Sequence, residues 1–442
     1  MRDDPAPPPD PAGLFAAADV FHASAAAPYV AWGAMGMGLL RRLEALTAAR
    51  LAPLGYEEIR LPALAPRRPL ERYLGPGARR LLPVAGADGS GLVLAPFSDL
   101  HYLHHVQALI RQGRHLPHRA YAWSRCFLDE AHRGFLDFGE YGKCEIFSAH
   151  TGEEGAAAAW EKVNAALTAL CREDLCLEPL TGTRPAMTAF PFTRATFSVE
   201  LGGGADAFQT LAVSHRMDAG FPVENGFPAL AARHVNTACF SQKLLAALLL
   251  HHRDGHGFLH PPRLAPVRVA VIGADGPDGA DRIRTLPPGC DPCRALLDTG
   301  APCAVVRDDG GWRLHRRHPF GAPPSRHPTL AAALDEAERW LTLFERMLRE
   351  RSRQRQRDAL AAARAGKGTL HRVAPCCPRH ACQSRVAAPP AALAKLTFTD
   401  GDGEPCAACG TATTGRLLTE REERYTSFYR ERPVSPAGEA GA

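Results

Sequence analysis

Four cysteines near the C-terminal end of the chain have the spacing of a metal centre. Cys377 and Cys382 enclose four residues, and Cys406 and Cys409 enclose two. Two closely spaced thiolate pairs suit tetrahedral Zn²⁺ held in a structural site. We therefore predict one bound zinc ion, with Cys376 as the alternative to its neighbour Cys377.

Two arginines in the first half of the chain are spaced to bind phosphate groups. Arg125 lies near the end of a strand-like run (120–127), and Arg133 lies in the polar loop that follows. A second strand-like run (141–148) returns after this loop, so an antiparallel hairpin is predicted. Guanidinium groups bind polyphosphates through bidentate hydrogen bonds. The alternative is a pair of ordinary surface arginines, and only the surrounding sequence favours phosphate binding.

The composition is that of a globular protein of two or three domains. The chain has 442 residues, of which 45% are hydrophobic and 22% are charged. A net charge of +5 is too small to indicate a nucleic-acid partner by itself. No apolar run is long enough to span a membrane, and the N-terminus lacks the features of a signal peptide. The 13 cysteines therefore indicate a reducing, cytoplasmic location.

Local patterns predict the elements that position these residues. Leucine spacing over residues 38–54 indicates an amphipathic helix that ends at Gly55. An Ala-rich helix is expected over residues 152–171, and three glycines at 202–204 indicate a hairpin turn. Residues 244–252 are so apolar that the helix they form should be buried.

A smaller α/β unit is predicted after residue 264. An apolar strand (264–272), a helix near 293–299, a strand (303–307) and a helix (330–349) follow one another. No final strand is apparent before the last helix. The Arg- and Gln-rich segment 352–365 is interpreted as a solvated helix face.

Several stretches, taken in order, resemble class II aminoacyl-tRNA synthetases, specifically the prolyl-tRNA synthetases. YEEIRLPAL, which contains Pro62, resembles the first signature of that class, and the hairpin from Arg125 resembles the second. Residues 233–272, which include RDGHGFLHPPRLAP, resemble the third signature and the start of the anticodon-binding domain. The cysteine pairs resemble the C-terminal zinc domain of one branch of these enzymes. The resemblance covers roughly residues 28–430.

This resemblance implies a two-step reaction in which ATP activates an amino acid as its adenylate and tRNA accepts the acyl group. It implies ATP, Mg²⁺ and structural Zn²⁺ as cofactors, proline or a related small amino acid as substrate, tRNA as a possible partner, and a homodimer. The implied residues are Arg125 and Lys243 as catalytic groups; Arg125, Arg133, Gln209 and Lys243 at ATP; and Ser98, Asp99, Glu145, His150 and Thr237 at the amino acid.

The chain departs from the family pattern at several of these positions. Phe97 stands at a substrate-binding threonine, Phe127 at an acid, and Phe147 at a pocket histidine. Asp137 reverses the charge of a loop arginine, and Lys243 replaces the arginine of the third signature. These changes favour an alternative: a relative that activates another amino acid for an acceptor other than tRNA, or a non-catalytic relative that binds RNA or protein.

The fold class that the resemblance implies is α+β. An antiparallel sheet flanked by helices should be followed by an α/β anticodon-binding-like domain and a small zinc-binding domain. The expected boundaries are a disordered N-terminal extension (1–27), a catalytic domain (28–264), the anticodon-binding-like domain (265–350) and the zinc domain (351–435).

Overall fold

The centre of the molecule is a large, mostly antiparallel sheet, covered by helices on both faces. The computed structural model describes residues 11–25, 29–85, 91–129, 139–185, 192–203, 208–273, 282–366, 371–387 and 393–420. Within these ranges the α-helices are α1 (Pro11–Ala17), α2 (Ala34–Leu51), α3 (Arg67–Leu74), α4 (Asp99–Arg111), α5 (Glu153–Ala169), α6 (Phe221–Glu224), α7 (Lys243–His251), α8 (Pro292–Thr299), α9 (Leu330–Arg364) and α10 (His380–Val386).

The strands occur as one large sheet, a smaller five-stranded sheet and three short two-stranded pairs. The strands are β1 (Phe21–Ala23), β2 (Val30–Trp32), β3 (Glu57–Glu58), β4 (Leu64–Pro66), β5 (Leu92–Leu94), β6 (His118–Phe127), β7 (Glu140–His150), β8 (Leu180–Thr183), β9 (Thr193–Gly202), β10 (Phe208–Met217), β11 (His234–Ser241), β12 (Arg253–Asp254), β13 (Gly257–Phe258), β14 (Val269–Ile272), β15 (Ile283–Leu286), β16 (Cys303–Asp308), β17 (Gly311–Arg316), β18 (Ser325–His327), β19 (His371–Pro375), β20 (Leu393–Pro405) and β21 (Ala412–Glu420).

The large sheet has the strand order β19-β21-β20-β8-β9-β10-β11-β7-β6-β3 over the described residues. All neighbours are antiparallel except β3, which runs parallel to β6. One face packs against α2, α5 and α7, and we call it the back face. The opposite, front face packs against α3, α4 and α6. Helix α7 is buried because its Leu- and Ala-rich sequence has no polar stripe to turn towards water.

The five-stranded sheet forms the core of the α/β unit. Its order is β15-β14-β16-β17-β18, with β14 parallel to both β15 and β16. The apolar strand β14 is fully buried, and Val269, Val271, Leu341 and Phe344 belong to one cluster under α9. Strand β18 pairs with β17, so the expectation that no final strand precedes the last helix is wrong.

The C-terminal strands continue the large sheet instead of forming a separate body. Strand β20 pairs with β21 and also meets β8, where Thr397 lies opposite Thr183. The Thr397 carbonyl oxygen would lie 2.0 Å from a Cβ placed on Gly182, so only glycine fits there. This close approach joins the cysteine-containing unit to the strands that follow α5.

Helix α9 crosses the expected domain boundary at residue 350 without a break. Its second half is not simply a solvated face, because Ser352 and Gln356 are buried against the large sheet. Ser352 Oγ accepts a hydrogen bond from Glu178 N (2.8 Å), and Gln356 Oε1 accepts one from Gly202 N (2.7 Å). The polar composition of the segment conceals these contacts, since hydroxyl and amide groups bond free backbone N–H groups.

The N-terminal segment is folded from residue 11, earlier than the sequence indicated. Phe15, Val20 and Phe21 are buried in the cluster on the back face, and β1 pairs with β2. Residues 1–10 lie outside the described ranges. The structure contains no helix, among those it describes, that is long and apolar enough to cross a bilayer. The predicted α+β fold class is confirmed.

Candidate functional site

A cavity of about 190 Å³ opens on the front face, below the first turn of α4. Pockets for drug-sized ligands are typically ~300–1000 Å³, so this inner cavity suits a smaller molecule. Apolar walls come from Leu74, Phe97, Phe147 and Val213. The polar lining residues are Asp99, Lys143, Glu145, His215, Thr237 and Cys239.

Strand alternation brings these side chains together. Side chains two residues apart along a strand share a face, and so do residues directly opposite each other in an antiparallel pair. Lys143 and Glu145 therefore point to the front from β7, and Cys239 opposite Glu145 does so from β11. Thr237 and His215 are opposite each other and extend the row to β10.

Lys143 and Glu145 form a partly buried ion pair at the wall of the inner cavity. Lys143 Nζ lies 3.1 Å from Glu145 Oε1, with the side chains 20% and 2% exposed. The same oxygen accepts a hydrogen bond from Ser98 N at 3.0 Å. Burial opposes the charge on Lys143, but Cys239, Glu145 and the other acidic groups nearby raise the pKa of Lys143 well above its ordinary value. The cavity therefore holds a permanent ammonium group.

Asp99 is the second carboxyl group of the inner cavity. Burial and the nearby Glu145 raise the pKa of Asp99 to about 6, although Lys143 and a hydrogen bond from Thr237 oppose the shift. No ion pair to Asp99 is found among the described residues. A cationic ligand beside Asp99 would compensate for its desolvated charge.

His215 and Cys239 are uncharged parts of the same lining. Burial, with Arg184 and Lys143 nearby, lowers the pKa of His215 to about 3, so the ring is neutral near pH 7. Its Nδ1 lies 2.9 Å from Thr196 Oγ1. Burial raises the pKa of Cys239 despite the adjacent Lys143, so its thiol stays protonated.

A second, more open cavity of about 330 Å³ adjoins the first, and we call it the outer cavity. Lys243, from the first turn of α7, lines it, and its Nζ lies 5.2 Å from the centre of the Tyr141 ring. Thr210 and Ser241 add hydroxyl groups. Lys143 lines both cavities, so its ammonium group lies at their boundary.

Arg125 does not face either cavity. It lies opposite Gly142, out of phase with Lys143 and Glu145, and therefore on the back face. Its side chain is 77% exposed, and Nη1 is 2.7 Å from Glu140 Oε1. This geometry does not bring Arg125 to the cavities, where it was predicted to act, and Lys143 is the cation of this hairpin that lines them. Arg133 and Asp137 lie outside the described residues.

The other predicted amino-acid and ATP contacts are only partly brought together. Asp99, Glu145 and Thr237 line the inner cavity, whereas Ser98 lies behind it and donates its N–H to Glu145. His150 is not at the cavity because it has the parity of the back face on β7. Gln209 lines neither cavity; its side-chain amide lies 3.5 Å from the Thr210 carbonyl oxygen.

Sequence reasoning missed Lys143 and His215. Lys143 precedes Glu145 by two residues on the same strand, so the period-two rule would have placed both on one face. The hairpin prediction contained this signal, but Arg125 was chosen by motif position and not by strand phase. No local signal identifies His215, since its place in the cavity depends on the pairing of β10 with β11.

The four predicted metal ligands converge at the C-terminal end of the chain. The sulfur atoms of Cys377, Cys382, Cys406 and Cys409 all lie within 4.8 Å of one another. Cys377 Sγ and Cys409 Sγ are 3.9 Å apart, close to the ~3.8 Å separation expected for thiolates bound at about 2.3 Å in a tetrahedron. Cys376 is not in the group; its thiol is directed to the Cys377 carbonyl oxygen.

Groups around the sulfur cluster favour thiolates. Backbone N–H groups of Cys377, Ala408 and Cys409 lower the pKa of Cys406 to about 6. Arg379 Nη2 lies 3.2 Å from Cys409 Sγ and also bonds Thr411 Oγ1 at 2.9 Å. The donor set therefore fits a closed, four-sulfur metal site.

Comparisons with known proteins agree with this architecture. No protein-family model matches the chain. It is 26% identical over 200 residues to proline–tRNA ligase of Deinococcus radiodurans, covering 43% of this chain and 40% of that protein. It is 24% identical over 312 residues to proline–tRNA ligase of Pyrobaculum calidifontis, covering 66% and 63%. The chain spans about half the length of the curated relatives it matches.

The fold likeness extends over nearly the whole chain. The crystal structure of prolyl-tRNA synthetase from Cryptosporidium parvum complexed with halofuginone and AMPPNP superposes with a TM-score of 0.77. The sequence identity is 14%, and the match covers 93% of this chain and 96% of that one. The chain is thus a prolyl-tRNA synthetase-like protein in fold and in sequence relationship.

Proposed function

We propose that this chain, with its prolyl-tRNA synthetase-like fold, activates a small amino acid with ATP. The observation that carries the proposal is the pair of joined cavities on the front face. The inner cavity offers a cation and two carboxyl groups at the scale of an amino acid, and the outer one offers Lys243 beside the Tyr141 ring. Amino-acid activation requires two such sites in contact.

In the proposed reaction, the α-carboxylate of the amino acid attacks the α-phosphorus of ATP. A new oxygen–phosphorus bond forms, the bond to the bridging oxygen breaks, and pyrophosphate leaves with the electron pair. The protein would position the reactants and stabilise the charge that develops on phosphate. Lys243 would bind the polyphosphate in the outer cavity, with ATP supplied as its Mg²⁺ complex.

The acceptor, the assembly and the metal are further parts of the proposal. The relatives named proline–tRNA ligase support tRNA as acceptor and proline as the first substrate to test. A homodimer and a cytoplasmic location remain predictions from the resemblance. The four-sulfur site would hold Zn²⁺ through Cys377, Cys382, Cys406 and Cys409, where it would stabilise the turn between β20 and β21.

Amino-acid-dependent exchange of labelled pyrophosphate into ATP tests the proposal directly. We expect exchange with one or a few small amino acids, proline being measured first, and none without an amino acid. Lys243→Ala should weaken ATP dependence more than amino-acid dependence. Absence of exchange with every common amino acid, together with no measurable ATP binding, would favour a non-catalytic relative.

A further inference from the structure

We propose that Lys143 is the cation that contacts the reacting α-carboxylate of the amino acid, opposite Asp99, which the resemblance already implies at the amino acid and which would bind its α-amino group. This inference rests on the proposed function and names the residues that carry it. It differs from the sequence prediction, in which Arg125 was the catalytic cation of this hairpin.

Lys143 lies where the two cavities meet. Lys143 is the only charged residue of the described lining that borders both the inner and the outer cavity. In adenylate formation the carboxylate must meet the α-phosphorus where the amino-acid and nucleotide sites join. A cation at that boundary can neutralise charge on the carboxylate and then on the phosphate that it attacks.

The ammonium group of Lys143 has hydrogen-bonding capacity for a ligand. A lysine ammonium has three donors, and Lys143 uses one on Glu145 and lies beside the Cys239 thiol. Its side chain remains 20% exposed, on the cavity side. A carboxylate oxygen entering the cavity can therefore reach it without breaking the ion pair with Glu145.

The charge balance of the inner cavity matches a zwitterionic ligand. Glu145 is committed, because it binds Lys143 and the backbone N–H of Ser98. Thr237 lines the cavity with Asp99, and Asp99 lacks an ion pair within the described residues. An α-ammonium group would supply the missing positive charge. The two charges of a zwitterion then match the two charged groups that have remaining capacity.

The walls restrict the side chain of such a substrate. Phe97 and Phe147 are buried at the cavity, and Leu74 and Val213 complete an apolar lining. A charged side chain would lose its hydration there without gaining a partner. The substrate class is therefore a small amino acid with an apolar side chain, cyclic or branched.

Arg125 is the competing candidate for the carboxylate contact. Its side chain leaves the sheet on the opposite face and already pairs with Glu140. To reach the cavity it would have to pass around the edge of β6. The hairpin therefore does supply a cation to the site, but this cation is Lys143 of β7 and not Arg125 of β6.

The test compares Lys143→Met, Lys143→Arg and Arg125→Ala in pyrophosphate exchange, using whichever amino acid the parent exchanges fastest. We expect Lys143→Met to lower kcat/KM for the amino acid about 100-fold, mostly through kcat, with KM for ATP changed less than threefold. Lys143→Arg should restore part of the rate. Lys162→Met, which removes an exposed lysine from α5, is the matched control and should leave exchange unchanged.

Folding and function are separated by two further measurements. Lys143→Met/Glu145→Gln removes both charges of the pair, so thermal unfolding and loss of exchange can be compared without an unpaired buried carboxylate. Calorimetric titration with the free amino acid, without ATP, measures binding alone and should show weaker binding in Lys143→Met.

Each outcome decides between the two proposals. Normal exchange in Lys143→Met with a large loss in Arg125→Ala would overturn the assignment of Lys143 and leave the proposed activity intact. If the parent shows no exchange but binds an amino acid, and Lys143→Met does not, the activity fails while the contact stands. Absence of both exchange and binding in the parent would overturn both.

Discussion

Two lysines of this protein each lie close to two carboxyl groups, but Lys395 is buried and Lys143 is only partly buried. Lys395 lies 3.3 Å from Glu200 and 3.4 Å from Glu420, and donates to the Phe208 carbonyl oxygen at 2.7 Å. All three of its donors are therefore used. Lys143 pairs with one carboxylate, borders a cavity, and leaves its second acidic neighbour, Asp99, without an ion pair among the described residues.

The difference separates a structural charge cluster from a functional one. A buried lysine with every donor satisfied holds segments together, and here Lys395 joins β20 to β9 and β21. A buried lysine with a free donor beside a cavity is suited to a ligand. Burial and charge alone do not distinguish the two cases; donor saturation does.

The largest effect should follow removal of the metal. The metal site adjoins β20 and β21, the strands that contain Lys395 and Glu420, so its loss should also affect the cluster around Lys395. Cys406→Ser should abolish binding of about one zinc per chain and reduce the stability of the C-terminal strands by several kcal/mol. Amide hydrogen exchange should then lose protection in β20 and β21, around Lys395, and keep it in β6 and β7. A metal-free protein with full protection in β20 and β21 would contradict the metal assignment.

A somewhat smaller effect is expected when the structural lysine itself is replaced. Lys395→Met removes the lysine shared by two buried carboxylates and leaves Glu200 with Arg184 at 3.8 Å, so the free energy of unfolding should fall by about 3 kcal/mol. Denaturant titration measures it. Lys143→Met should destabilise the protein less, because water can enter the cavity beside Glu145. Equal destabilisation by the two substitutions would remove the distinction between the two clusters.

In the cluster around Lys143, removing a charge should raise the stability of the folded protein, whereas Lys395→Met should lower it. Because the folded-state pKa of Asp99 is about 6 and lies above its usual 3.8, ionised Asp99 destabilises the folded protein above pH 6. This penalty disappears as pH falls from 6 to about 4. Asp99→Asn should therefore be more stable than the parent at pH 8, by about 3 kcal/mol, and similar to it at pH 4.

The same carboxyl group should control substrate affinity. If ionised Asp99 binds the α-ammonium, KM for the amino acid should rise about tenfold between pH 7 and pH 5. The KM of Asp99→Asn should be high at every pH and lose this dependence. Thermal unfolding across pH 4–8, with KM profiles for both proteins, provides the check; a pH-independent parent KM would count against Asp99.

The smallest effect is expected at the exposed cation of the same hairpin. Arg125→Ala removes a solvent-exposed ion pair with Glu140, which is worth less than about 1 kcal/mol. Unfolding should change little, and exchange should stay within threefold of the parent. A larger loss of exchange would indicate that Arg125 on β6, and not Lys143 on β7, is the cation that acts in the reaction.

The sequence predicted the elements better than the faces they present. The hairpin of β6 and β7, the buried α7 and the sulfur cluster follow from local patterns: alternation, an apolar run and cysteine spacing. Arg125 was assigned by its place in a motif, whereas the phase of β7 selects Lys143. A shift of one residue along a strand reverses the face, and motif matching does not resolve that shift.

Contacts between distant segments could not be predicted from local composition. The Arg-rich half of α9 suggested a solvated surface, yet Ser352 and Gln356 bond backbone groups of residues 178 and 202. The joining of β20 to β8 likewise depends on Gly182 allowing Thr397 to approach. Such contacts arise from tertiary packing, which overrides the local preference of each segment.

The two outer strands of the large sheet limit how the protein can polymerise. At one end of the described sheet, β3 is only two residues long, and both are exposed glutamates. At the other end, β19 carries the exposed Arg372 and finishes at Pro375, which lacks an N–H to donate. Two copies meeting strand to strand at β3 would place four carboxylates side by side. Addition of a further strand at β3 or at β19 is thus disfavoured.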